Sequence, residues 1–288
     1  MNPRNFFAER RSIAELARPI AAAVLCVCVS AAVAAPSRPR VDEVAAIVAA
    51  GMKEQGIPGA ALVVMKGDEI ILARGFGVED AAREDRVTEN SIFALGSITK
   101  QFTAAAILQL VEQRRLALDD PVAHHLPDFT HLPADLKIQH LLSHTSGIRE
   151  EFAQPELTAL FAQPGTTYEE YVDAARHSPS DWPPGSRWSY GNINYLLLGL
   201  IVERVDGQPL EVVFDERFFK PLELRSFRLC PPQTGEVPGE ARGHVNRDGA
   251  LVPLTRRRTH RCSVAPADSA EARWTSRVGC AHWRKAKW

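Results

Sequence analysis

The segment ALGSITKQFTAAAILQLVEQ, residues 94–113, places a serine and a lysine three residues apart where an almost wholly apolar stretch begins. Apolar residues at nearly every position from Phe102 onward predict a buried helix, because a helix at the surface keeps a polar face. Ser97 and Lys100 then lie about one turn apart on one face of its first turn. A lysine at the start of a buried helix suggests a chemical use for its amine.

Ser97 is a candidate nucleophile. A serine hydroxyl attacks a carbonyl only when a base takes its proton and hydrogen-bond donors stabilise the oxyanion, and backbone N–H groups at a helix N-terminus can be such donors. Lys100 is a candidate base or proton relay. Tyr190 and Asn192 lie two residues apart in PGSRWSYGNINYLLLG, so a phenol and a carboxamide can project from one loop. The phenol could deprotonate the serine, and the carboxamide could hold a substrate amide.

Each of these residues also has an ordinary interpretation. Ser97 could cap the helix with Lys100 in solvent, and Tyr190 and Asn192 could be loop residues without a chemical role. The combination of all four in one chain is what favours the catalytic interpretation.

The motifs resemble those of the serine β-lactamase and penicillin-binding protein superfamily. They are most similar to the branch of class C β-lactamases, D-alanyl-D-alanine carboxypeptidases and related esterases. GSITK resembles the Ser-x-x-Lys motif and YGN the Tyr-x-Asn motif, with LLSHTSGI between them and PG and LLLG around YGN. The resemblance covers about residues 57–224. It implies an α+β, β-lactamase/transpeptidase-like fold, in which an antiparallel sheet is flanked by helices beside a mainly helical subdomain.

The resemblance also implies roles for the four residues. Ser97 would be the acylated nucleophile, Lys100 and Tyr190 its proton-handling partners, and Asn192 a group that binds substrate and positions the lysine. The implied reaction is hydrolysis of an amide, β-lactam or ester, without a metal or a cofactor. The expected partner is thus a small molecule or a peptide.

One motif of the family is missing from the sequence. Lys-Thr-Gly or His-x-Gly belongs on a strand well over a hundred residues beyond YGN, and ARGHVNRDG comes too early. The chain loses register with the family between about Val252 and Arg258, so we expect the C-terminal strands of the fold to be missing. Two functions fit: an exported serine hydrolase, and an inactive, truncated pseudoenzyme that binds cell-wall peptides.

The first 35 residues have the features of a secretory signal peptide. Four arginines precede PIAAAVLCVCVSAAVAA, an apolar run of 17 residues that ends in small residues ahead of Pro36. A retained membrane anchor is the alternative. The signal predicts cleavage near Ala34 or Ala35 and a periplasmic or secreted protein with no stable membrane span.

The tail, residues 255–288, differs from the domain predicted over residues 36–254. It contains no Leu, Ile, Phe, Met or Tyr, and has nine basic residues against two acidic ones. Such a segment has no apolar face to bury, so we expect it to be disordered, or to be the product of a shifted reading frame. A basic arm that binds nucleic acid or acidic lipid is the alternative. We favour the first interpretation and therefore predict no nucleic-acid partner.

Two groups of histidines suggest other chemistry. His124, His125 and His131 could be metal ligands, but no Cys or carboxylate cluster joins them at helical spacing, so surface histidines are favoured. His144 and Ser146 could form a Ser/His dyad, whereas the resemblance makes LLSHTSGI a structural helix exit.

Patterns elsewhere predict the framework of the fold. GIPGAALVVMKGDEIILARGFGV is typical of a β-hairpin that turns at Lys66–Asp68. Helices are predicted over residues 41–53 and 168–177, and a third helix begins at Asn192 and stops at Gly207.

Overall fold

The computed structural model describes residues 41–83, 85–163, 166–230, 240–253 and 262–266. The predicted signal peptide and most of the basic tail lie outside these ranges. The chain divides into residues 1–45 and a compact unit from residue 46 onward, and the second unit contains the site described below.

The fold is a mixture of helices and small antiparallel sheets. The helices are α1 (Val41–Gln55), α2 (Thr99–Glu112), α3 (Val122–His125), α4 (Ile138–Leu142), α5 (Pro155–Ala162), α6 (Tyr168–Ala175), α7 (Asn192–Asp206) and α8 (Leu210–Phe214). The strands are β1 (Gly59–Lys66), β2 (Glu69–Asp80), β3 (Asp85–Arg86), β4 (Ile92–Ala94), β5 (Arg228–Cys230), β6 (His244–Arg247), β7 (Ala250–Pro253) and β8 (Cys262–Pro266). Short 3-10 turns at Gly96–Ile98 and Glu151–Ala153 precede α2 and α5, and a π-helical turn, Asp215–Phe219, follows α8. The α+β prediction with a mainly helical middle is confirmed.

The predicted hairpin forms the first sheet. Strands β1 and β2 pair antiparallel from Gly59 opposite Gly77 to Lys66 opposite Glu69, and β3 extends the sheet beside β2. The two-residue turn begins at Gly67, whose φ of 59° is one that glycine adopts without a steric cost. The two β runs on either side of the turn at Lys66–Asp68 thus predicted the hairpin correctly.

A second sheet has the order β4–β8–β5, with both pairs antiparallel. Strand β8 lies within the tail that we predicted to be disordered, so that prediction is wrong for residues 262–266. The physical reason is that a central strand is held by backbone N–H and C=O groups on both sides, which a search for apolar side chains does not detect. Strands β6 and β7 form a separate hairpin.

Helix α2 is buried, as its composition predicts. The Phe102 side chain is 1% exposed, and its ring lies 5.5–6.2 Å from four other phenylalanine rings. Those rings belong to α8, the π-helical turn and the segment ahead of β5: Phe214, Phe218, Phe219 and Phe227. This aromatic cluster fixes the N-terminal half of α2, and with it the turn that carries Ser97.

The other predicted helices are also present. Helix α7 runs from Asn192 to Asp206 and ends at Gly207, whose φ of 70° is the left-handed conformation expected of a C-terminal glycine. It packs against α2 and has Leu197, Leu198 and Ile201 fully buried. Among the described helices, none is both long and apolar enough to cross a membrane.

Candidate active site

Ser97 lies on the 3-10 turn between β4 and α2, and not on α2 itself as predicted. Gly96, the first residue of this turn, has a φ of 52°, so the chain leaves the strand through a left-handed residue. The Ser97 side chain is exposed, while Lys100, in the first turn of α2, is half-buried. The sharp exit from the strand therefore presents the hydroxyl to solvent above a lysine that is partly shielded.

Tyr190 and Asn192 are positioned by the loop before α7. The backbone N–H of Ser189 donates to the carbonyl of His144 at 2.9 Å, and the N–H of Gly191 donates to His144 Nδ1 at 3.4 Å. His144 itself has a φ of 57° just beyond the end of α4. The exit of α4 thus holds the loop through both the backbone and the side chain of one residue.

The structure brings the four predicted residues into one hydrogen-bond network. Ser97 Oγ lies 2.7 Å from the Tyr190 hydroxyl, and Lys100 Nζ donates to Ser97 Oγ at 3.2 Å. Lys100 Nζ also donates to Asn192 Oδ1 at 2.6 Å, and the Tyr190 hydroxyl donates to the same oxygen at 3.2 Å. The Ser97 hydroxyl therefore has a phenol oxygen and an amine within proton-transfer distance.

Two tyrosines lie near the lysine, and only one is placed to exchange a proton with Ser97. The Lys100 Nζ is 4.9 Å from the ring centre of Tyr190 and 5.7 Å from that of Tyr195. The Tyr195 hydroxyl donates to the Leu142 carbonyl at 3.2 Å, and burial raises the pKa of this phenol. Tyr195 is therefore engaged elsewhere, and Tyr190 is the phenol whose oxygen lies within hydrogen-bond distance of Ser97 Oγ.

His144 supports the site without contacting the nucleophile. Its ring packs 4.6 Å from the Tyr190 ring and 5.1 Å from the Tyr195 ring. Burial, and then the positive charge of Lys100, lower the pKa of the imidazole. Ser146 is buried, and its Oγ accepts the N–H of Ile148 at 3.1 Å. The Ser/His dyad is therefore not formed, and LLSHTSGI is a structural helix exit.

A carboxylate that sequence reasoning missed completes the network. Glu151 is 1% exposed and accepts hydrogen bonds from the Asn192 side-chain Nδ2 and, at 3.0 Å, from the Asn192 backbone N–H. In the sequence this residue is the second glutamate of REEF, in a polar stretch that is typical of an exposed loop. No signal in the pattern pointed to its burial.

A cavity of about 280 Å³ opens beside the network. Apart from Ser97, Thr99, Lys100, Thr103 and Asn192, its walls are mostly aromatic or aliphatic. Those wall residues include Phe152, Tyr168, Tyr171, Tyr195, Leu196, Leu210 and Leu229. An uncharged acyl group is the chemistry that such walls accommodate.

The predicted surface histidines lie apart from this site. His125 Nε2 is 3.2 Å from an Asp120 carboxylate oxygen, and the His131 ring packs 5.1 Å from His177. Within the described ranges, no group of three or more His, Cys, Asp or Glu side chains could hold a metal ion.

A serine flanked by a lysine and a tyrosine, presented where a strand runs into a helix, defines a class of proteins that activate serine for acyl transfer. The model of the beta-lactamase family matches residues 44–266. The chain therefore belongs to the beta-lactamase family, which confirms the resemblance of its motifs and extends the match into the tail as far as strand β8.

The relatives of the chain include hydrolases of several kinds. It is 33% identical to esterase EstB of Burkholderia gladioli over 221 residues, which cover 70% of this chain and 56% of that protein. It is 28% identical to a putative D-alanyl-D-alanine carboxypeptidase of Escherichia coli O157:H7, over 72% of this chain and 52% of that protein. The chain spans about half the length of these curated relatives.

The fold agrees with the family. The octameric penicillin-binding protein homologue from Pyrococcus abyssi superimposes with a TM-score of 0.72 at 27% sequence identity. The match covers 83% of this chain and 56% of that chain. The β-lactamase/transpeptidase-like fold expected from the motifs is confirmed.

Proposed function

We propose that this protein is an exported serine hydrolase that acts through a covalent acyl-enzyme. The observation that carries the proposal is the 2.7 Å contact between Ser97 Oγ and the Tyr190 hydroxyl, with Lys100 Nζ 3.2 Å from the same Oγ. A nucleophile and two proton-exchanging groups within hydrogen-bond reach are the requirement for serine acylation at neutral pH.

The reaction proceeds in two transfers. The Ser97 hydroxyl gives its proton to the Tyr190 oxygen while Oγ attacks the substrate carbonyl carbon, and the Tyr190 hydroxyl in turn releases its own proton to the leaving amine or alkoxide, so that the phenol is neutral before and after the transfer. A water attacks the resulting ester, giving up its proton along the same route, and the acid is released as Ser97 regains its proton. Lys100 stabilises negative charge on the phenol oxygen and on the serine oxygen throughout.

The substrate is an ester, a β-lactam or a D-amino-acid peptide. Relatives named as an esterase and as a putative D-alanyl-D-alanine carboxypeptidase support this range, since both names describe acyl transfer from a carbonyl group. The largely apolar walls of the cavity beside Ser97 favour an uncharged acyl group over a charged one.

Labelling of the serine tests the mechanism directly. The full chain, produced with its signal in a bacterial host, is incubated with a fluorophosphonate and with a fluorescent penicillin, and the labelled peptide is identified by mass mapping. We expect label on Ser97 alone and none in Ser97→Ala. Label on Ser146 or Ser189 that persists in Ser97→Ala would contradict the assignment.

A second candidate is a pseudoenzyme that binds cell-wall peptides. The observation in its favour is the similarity of the fold to that of the penicillin-binding protein homologue from Pyrococcus abyssi, whose name describes binding. Stoichiometric labelling by penicillin, combined with no turnover of nitrocefin, D-alanyl peptides or p-nitrophenyl acetate, would favour this candidate.

Export is a separate part of the proposal. It is supported by the arginine-rich start and the apolar run ahead of Pro36. The N-terminus of the purified protein decides it: sequencing should begin at or just after Ala35, and an intact Met1 on a cytosolic product would refute export.

A further inference from the structure

Glu151 is held as a buried carboxylate at the back of the hydrogen-bond network. A buried carboxylate is stable only with compensating donors, and the Asn192 side-chain amide and backbone N–H supply two of them. Neighbouring contacts fix the segment, because Glu150 accepts the N–H of Ala153 at 3.2 Å and Gln154 Nε2 donates to the Arg149 carbonyl at 2.8 Å. Glu151 is therefore a fixed acceptor.

The chemistry of the neighbours allows only one orientation of the Asn192 amide. Lys100 Nζ, when charged, can only donate, so it requires the amide oxygen, and an ionised Glu151 can only accept, so it requires the amide nitrogen. With the amide reversed, two donors would face each other on one side and two acceptors on the other. The carboxylate thus directs Asn192 Oδ1 toward Lys100 Nζ, at 2.6 Å, and the Tyr190 hydroxyl, at 3.2 Å.

We infer that Glu151 is a positioning residue for serine acylation, which acts by fixing the Asn192 amide so that its oxygen orients Lys100 and Tyr190. This inference rests on the proposed function. It also adds to the predicted role of Asn192: with one Nδ2 hydrogen engaged by Glu151 and Oδ1 by Lys100 and Tyr190, the amide organises the proton-transfer groups, and its second Nδ2 hydrogen can still donate to a substrate carbonyl.

Exchange of donor and acceptor between residues 151 and 192 tests the inference. Asn192→Asp alone places two carboxylates against each other, and should slow labelling of Ser97 by fluorescent penicillin at least 100-fold. In Glu151→Gln/Asn192→Asp, the new amide at position 151 can donate to one oxygen of the new carboxylate at position 192, while the other oxygen accepts from Lys100 and Tyr190. We expect the double variant to be labelled at least tenfold faster than Asn192→Asp.

The matched control is Glu150→Gln/Asn192→Asp. It removes the same negative charge one residue away, from a side chain that accepts the N–H of Ala153 and does not bond to residue 192. It should remain as slow as Asn192→Asp. Equal rates of Ser97 labelling in the two double variants would overturn the inference. Labelling of Asn192→Asp at the wild-type rate would also overturn it.

A double-mutant cycle between residues 151 and 192 distinguishes a positioning role of Glu151 from a general structural role. Glu151→Gln should slow acylation about tenfold in the wild type but less than about twofold in Asn192→Ala, because it acts through the amide that Asn192→Ala removes. A tenfold cost in both backgrounds would show that Glu151 acts otherwise.

Thermal melts of the same variants test the positioning role of Glu151 separately from the proposed serine-hydrolase function. The melting temperature should fall in Asn192→Asp and recover in Glu151→Gln/Asn192→Asp but not in the Glu150 control. If the wild type is not labelled on Ser97, the proposed function fails, while the melts still decide whether Glu151 and Asn192 are paired as described. A melting temperature that does not recover would refute the pairing.

Discussion

Tyr190→Phe isolates the proposed proton carrier from its surroundings. The substitution keeps the ring that packs 4.6 Å from His144 and lies 4.9 Å from Lys100 Nζ. It removes only the hydroxyl, with its contacts of 2.7 Å to Ser97 Oγ and 3.2 Å to Asn192 Oδ1. Any large change in rate therefore reports on the loss of the hydroxyl.

The expected effects on activity and on stability differ in size. Loss of a positioned general base costs about 10² to 10⁴ in rate, which at about 1.36 kcal/mol per tenfold corresponds to about 2.7 to 5.4 kcal/mol. A hydrogen bond at a side chain that is 39% exposed contributes only about 0.5 to 1.5 kcal/mol to the free energy of unfolding. The acylation rate should thus fall far more than destabilisation alone would allow.

The assay is the rate of Ser97 labelling by fluorescent penicillin, measured in parallel with a urea melt of each variant. Lys100→Ala should cost a similar factor, and the Lys100→Ala/Tyr190→Phe double variant little more than either alone, because the two groups serve one proton transfer. A Tyr190→Phe rate within about threefold of wild type would refute the role of the phenol. Fully additive losses would refute the joint role.

Three further predictions concern stability. Phe102→Ala should lower the free energy of unfolding by about 3 to 5 kcal/mol in a urea melt, because it leaves a cavity at the centre of the aromatic cluster, and a loss under about 1 kcal/mol would contradict that packing. Gly147→Ala should strongly destabilise the folded protein, since the φ of Gly147 is 80° and an added Cβ would lie 2.0 Å from the Trp182 carbonyl oxygen. Gly51→Ala should stabilise the protein slightly, because the space around an added Cβ at residue 51 is open. His144, whose pKa is lowered in the folded protein by burial and by the charge of Lys100, resists the proton that the unfolded chain takes up below about pH 6.5, so stability is lost as the pH falls below about 6.5. The fall in melting temperature with falling pH should be smaller in His144→Gln than in the wild type. An equal fall in both proteins would refute the lowered pKa of His144.

The sequence predicted the parts of the fold that repeat a local pattern. The hairpin follows from two β runs on either side of the turn at Gly67, and α7 from its apolar run and the left-handed stop at Gly207. Ser97, Lys100, Tyr190 and Asn192 were found because family motifs carry them, and the structure joins all four in one hydrogen-bond network. Local patterns were sufficient for the hairpin and α7 because neighbours in sequence determine them, whereas the site residues, joined across more than 90 residues of chain, were found through their motifs.

The features that the sequence did not predict depend on partners distant along the chain. The buried carboxylate of Glu151 is compensated by two hydrogen bonds from Asn192, which lies 41 residues later in the chain. Read alone, a glutamate beside another glutamate in a polar stretch is typical of solvent exposure. The exact start of α2 was also missed, since the left-handed conformation of Gly96 shifts Ser97 from the helix onto a preceding 3-10 turn.

The position of β8 links the tail to the site. Ala94, the last residue of β4, pairs with Val264 of β8, and only two residues separate Ala94 from Ser97. The direction in which β4 ends determines where the left-handed residue Gly96 begins the turn, so the backbone hydrogen bonds between β4 and β8 help to fix the Ser97 hydroxyl relative to Lys100 and Tyr190. Side-chain composition says nothing of this, because the pairing uses only N–H and C=O groups, which every residue except proline carries in full. A tail whose composition indicates disorder can therefore still contribute a strand that helps to position Ser97.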